Sequence, residues 1–151
     1  MIKTIRIGII FIVIGIILGD FLYSKYHTSF LEAFKEKYNY YFVQEGVYSN
    51  YDLMFENTKS VNAKTVEKNK DKYYVYVGIS SNYDNAVKIK DIYEKEGYKT
   101  FIKEMSFDSE EFYTNVEQFD LLVDRANTDE EILTIEEVIL ANYEEIVKRS
   151  K

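Results

Sequence analysis

The side chains that could do chemistry are few in kind. The chain of 151 residues holds 26 Asp and Glu, 15 Tyr, 10 Phe and one His (His27), with no Cys, Pro or Trp. Without Cys there is no disulfide, thiolate metal site, cysteine nucleophile or lipid-modified cysteine anchor. One His builds no His-cluster metal site and leaves Ser-His catalysis a single base. The carboxylates lack the alternating oxygens of a calcium loop, and no Gly-rich phosphate loop is present. Among so many carboxylates some pair will always lie close, yet no spacing marks one out as a glycosidase dyad. The expectation is a non-enzyme without metal or cofactor.

Rings and amides remain, and their spacing is ordered. Strand alternation puts Tyr41 and Val43 on one side, and Tyr73, Val75 and Val77 likewise. Phe42, Gln44, Tyr74 and Tyr76 then share the other side. If helices cover only the first side, the second is an open face of rings and one amide. Such a face suits a polysaccharide, because rings stack on sugars and an amide pairs with hydroxyl or N-acetyl groups. The bland alternative is that these aromatics are strand formers, or that the C-terminal segment covers them. The Tyr surplus itself fits AT-rich codon usage.

These positions fall in an internal repeat. Tyr41–Asp52 aligns without gaps onto Tyr73–Asp84 at an offset of 32, with seven of twelve positions identical. Each copy is a β-branched and aromatic run, a Gly (Gly46, Gly78) and a Ser-Asn pair fit to cap a helix. Ser49, Asn50, Ser81 and Asn82 therefore read as caps rather than ligands. A short helix follows Asn50 to about Lys59. A longer one follows Asn82, with Ala86, Ile89, Ile92 and Tyr93 as its stripe and Gly97 as its stop. Ala63–Lys68 and Tyr98–Met105 read as further strands. The order is βαββαβ, an α+β sandwich of one antiparallel sheet with two helices on one face.

Val43-Gln44-Glu45-Gly46-Val47-Tyr48-Ser49-Asn50 resembles the opening strand motif of SPOR (sporulation-related repeat) domains. Tyr74-Val75-Tyr76-Val77-Gly78-Ile79-Ser80-Ser81 resembles their second-half motif. The spacing to Glu96-Gly97-Tyr98 agrees, and the resemblance covers roughly residues 39–106. It implies binding of septal peptidoglycan, with preference for glycan strands stripped of their stem peptides. It also singles out Gln44 as the matched ligand position. Glu45 stands where the family has an apolar residue.

The charge divides the chain into parts. Residues 1–30 carry a net +2, residues 31–107 carry 12 basic and 12 acidic groups, and residues 108–151 carry a net −9. An acidic total of −7 argues against a nucleic-acid partner, which would demand a basic face. After a short tail (1–6), residues 7–23 are apolar but for Asp20 and read as an uncleaved signal anchor through the lipid bilayer, about 25 Å as a helix. A six-residue amino tail is expected to stay cytoplasmic, which puts 24–151 outside a single-pass cell-membrane protein. Residues 24–38 are a membrane-proximal linker, helical over 28–38 from the Ser29-x-x-Glu32 capping pattern.

Residues 107–151 form an acidic helical hairpin, opened by Asp108-x-x-Glu111 and Thr128-x-x-Glu131. Its stripes (Phe112, Val116, Phe119, Val123; Ile132, Ile135, Ile139, Tyr143, Ile146) need a partner, either the domain itself or another protein. The expected function is a membrane-anchored, non-catalytic binder of peptidoglycan glycan in cell division or sporulation. The alternative is a protein-interaction module of a membrane complex that uses the C-terminal helices.

Overall fold

The computed structural model describes residues 37–149. The tail 1–6, the span 7–23 and the linker up to residue 36 lie outside the described residues. Eight elements follow: β1 Tyr38–Tyr48, α1 Tyr51–Thr58, β2 Thr65–Asn69, β3 Lys72–Ser80, α2 Tyr83–Lys95, β4 Phe101–Phe107, α3 Glu110–Arg125 and α4 Asp129–Arg149. Tyr38, expected to end the linker helix, opens β1 instead.

The four strands form one antiparallel sheet in the order β2-β3-β1-β4. The βαββαβ order is as expected from sequence, and this strand order makes it a split βαβ arrangement. The two repeat copies are direct neighbours. Tyr41 faces Ser80, Phe42 faces Ile79, and at the other end Tyr48 faces Tyr73. Each copy's first residue thus opposes the other copy's eighth, an approximate two-fold relation. The register shifts at Val43/Gln44 and again at Gln44/Gly46, so a bulge on each strand offsets the other.

The helix ends follow local rules. Asn50 and Asn82 cap α1 and α2, their side chains accepting from the N–H groups of Asp52 (2.7 Å) and Asp84 (2.9 Å). Gly97, two residues past α2, has φ +95, a left-handed conformation that suits glycine. The cap of α3 is Ser109, one residue later than the capping pattern suggested; its hydroxyl accepts from Phe112 N–H at 3.3 Å. Thr128 and Glu131 serve α4 as expected. The Thr128 hydroxyl accepts from Glu131 N–H (3.2 Å), and the Glu131 carboxylate accepts from Asn127 N–H (2.7 Å).

A core lies on each side of the sheet. Val43, Val75 and Val77 meet Met54 of α1 and Ala86, Ile89, Ile92 and Tyr93 of α2, with Val123 and Ile132 from the hairpin ends. On the opposite side Tyr40, Phe42, Tyr76 and Ile79 meet Phe112, Val116, Ile139, Leu140 and Tyr143. The alternation read from the sequence therefore assigned both sides correctly. The hairpin's stripes are consumed by its own domain, at ~1.5–3 kcal/mol for each fully buried large apolar side chain.

The hairpin reaches both cores because β2 is short. It pairs with β3 only over Lys72–Tyr76, which leaves Val77–Ser80 without a strand on that side. The helices fill that place. Gly78 makes it possible, since a Cβ there would come within 2.6 Å of Ile89 Cγ2 and 3.2 Å of Glu136 Oε2.

Candidate functional site

Two carboxylates serve the strandless half of β3. Glu136 is fully buried, and its Oε2 accepts the backbone N–H of Ile79 at 2.9 Å. Its Oε1 is buried with no hydrogen-bond partner. Burial holds its carboxyl well above the usual range, reinforced by the charge of Asp120 and opposed by the Ile79 N–H. Asp120, 6 % exposed, accepts from Ser80 Oγ (2.5 Å), Ser81 N–H (2.9 Å), Ser81 Oγ (2.6 Å) and Asn85 Nδ2 (3.1 Å). Both groups are saturated or sealed by the fold, so they stitch the hairpin to β3 and α2 rather than offer a site. Among the described residues, no group of three His, Cys, Asp or Glu could hold a metal ion.

The four expected ligand residues divide into two pairs. Phe42 (0 % exposed) and Tyr76 (1 % exposed) are core. Their rings meet at 5.0 Å, and Tyr143 of α4 lies 5.1 Å from Phe42. Burial pushes the Tyr76 hydroxyl up to about 12, with a contribution from Glu67. The expectation of an open face is corrected here, because α3 and α4 lie on it. A sugar cannot stack on rings already packed against Phe112, Ile139 and Tyr143.

Gln44 and Tyr74 remain half-buried at the other end of the same side. There they gain neighbours that the sequence did not single out. Phe101 pairs with Gln44 across β1 and β4 and is 62 % exposed. Lys103, one pleat along on the same side, extends its Nζ to 5.4 Å above the Tyr74 ring. Val47 pairs with Tyr74 and is exposed, and Glu67 pairs with Tyr74 from β2. The uncovered end thus presents two rings, an amide, a cation and a carboxylate on one side of the sheet.

Three further sequence expectations have their places. Ser81 donates to Asp120, and Asn50 and Asn82 are caps, so these three are structural. Glu45 pairs with its own turn, both oxygens receiving the Tyr48 hydroxyl at 2.9 and 2.8 Å. Burial raises its pKa and the Tyr48 hydroxyl lowers it. On the hairpin, Leu121, Leu122 and Val138 are the large apolar side chains left exposed among the described residues.

Fold and site together define a class of architecture: an α+β sandwich of one four-stranded antiparallel sheet, extended by a helical hairpin over part of its second side. No family model, curated protein or solved structure matches the chain.

Proposed function

We propose that this chain is a membrane-anchored, non-catalytic binder of peptidoglycan glycan, with preference for stripped strands, acting in cell division or sporulation. On this reading residues 39–106 are a SPOR-like domain, residues 7–23 anchor it, and 24–151 lie outside the cell membrane. The observation that supports it most is that half-buried Gln44 and Tyr74 lie with exposed Phe101 at the uncovered end of the sheet. A planar ring beside an amide is the pairing a sugar calls for. The doubled strand motif, now seen as two paired neighbours, supports the domain assignment.

The alternative, a protein partner on the C-terminal helices, has less surface to use. The main stripes of α3 and α4 are buried, and among the described residues three large apolar side chains of the hairpin are exposed. The readings separate in a co-sedimentation experiment with purified cell-wall sacculi before and after amidase treatment, using the full chain in detergent. Glycan binding expects sedimentation that increases after treatment and falls for Gln44→Ala and Tyr74→Ala. A chain that stays in the supernatant with both preparations removes the glycan reading.

A further inference from the structure

The uncovered end holds a cation that no carboxylate pairs with among the described residues. Lys103 is exposed, makes no ion pair among the described residues, and lies over the Tyr74 ring. Its chain neighbour Glu104 pairs with Tyr41 and so stands on the other side of the sheet. Glu67, across Tyr74 on β2, is the carboxylate on this side and bounds the patch there. A ligand lying from Phe101 past Gln44 to Tyr74 would therefore meet a positive charge beside the Tyr74 ring.

We propose that Lys103 is a specificity residue that reads the carboxylate of a stripped glycan. The inference rests on the glycan reading above. Hydrolysis of the amide that joins a stem peptide to the lactyl group of its sugar consumes one water, releases the peptide as an amine and leaves a carboxylate on the glycan. A stripped strand thus bears a carboxylate at the lactyl group of alternate sugars where a substituted one bears an amide, and it has lost the peptide's bulk. An ammonium held beside a stacking ring selects for that charge, since a carboxylate–ammonium hydrogen bond is stronger than a neutral one. The rings alone would bind both strands.

The test uses the full chain in detergent with three sacculus preparations: untreated, amidase-treated, and amidase-treated with carboxyls converted to methylamides by carbodiimide coupling. Wild type is expected to bind the second preparation best. Lys103→Gln lowers that binding roughly tenfold, to the level of the methylamide preparation, while Lys103→Arg retains it. Lys103 is exposed, so the thermal midpoint of both variants stays at the wild-type value. Equal binding of Lys103→Gln and wild type to treated sacculi overturns the inference, as does wild-type binding that ignores carboxyl blocking. If wild type sediments with none of the three, the glycan reading itself fails and carries this inference with it.

Discussion

Glu136 Oε2 accepts the backbone N–H of Ile79 at 2.9 Å, joining the middle of α4 to the strandless half of β3. An edge N–H buried away from water needs an acceptor, and here a side chain fills the role of an absent strand. The cost falls on the carboxyl, which is fully buried with its second oxygen unpartnered.

That cost makes folding pH-dependent. Burial raises the Glu136 pKa in the folded state, so the folded chain holds its proton more tightly than the unfolded one. Below the ordinary carboxyl range the group is neutral in both states and costs nothing. As pH rises from there through the raised folded value, stability is lost. Asp120 of α3 and Tyr93 of α2 are the titratable groups coupled to it. Glu136→Gln keeps an acceptor for Ile79 and has no proton to lose. Urea melts at pH 5 and pH 8 are expected to show the variant gaining about 1–2 kcal/mol over wild type at the higher pH and little at the lower. A pH-independent difference would count against a buried neutral carboxyl.

Asp120, by contrast with the half-partnered Glu136, accepts four hydrogen bonds from Ser80, Ser81 and Asn85. Asp120→Ala strands those donors, and a loss of about 2–4 kcal/mol is expected by chemical denaturation. Coupling between Asp120→Ala and Ser81→Ala in a double-mutant cycle checks that the loss runs through this contact.

Gly78 marks where two helices close on β3. Gly78→Ala pushes a methyl into Ile89 and towards Glu136, and about 1–3 kcal/mol of destabilisation is expected in the same melts. Gly78→Ala with Ile89→Leu, which removes the β-branch methyl Cγ2 that the new Cβ would meet, recovers part of it.

Much of the architecture was legible in the residues, and the reasons differ by element. The repeat fixed β1, β3 and their caps, because a Gly and an Asn in the same order twice leave the backbone few options. Alternation placed Phe42 and Tyr76 on the correct side. It could not say that α3 and α4 would lie there, since an amphipathic stripe shows that a helix needs a partner and not which one. Composition does not tell Asp120 and Glu136 apart from the other carboxylates of the acidic hairpin. Their phase was the available signal: Glu136 stands between Ile132 and Ile139 on the buried stripe, and Asp120 between Val116 and Val123. Phe101 and Lys103 were missed because pairing of β4 with β1, not local sequence, brings them beside Gln44 and Tyr74.

The proposed ligand surface is the uncovered end of the second sheet side, separate from both the sealed rings and the hairpin. The most direct test is a ¹⁵N- and side-chain-resolved NMR titration of the full chain in micelles with soluble glycan fragments from amidase-treated wall. Shifts are expected at Gln44, Tyr74, Phe101 and Lys103, with Leu122 and Val138 unmoved. Shifts confined to the α3–α4 surface, or none at saturating glycan, would contradict it.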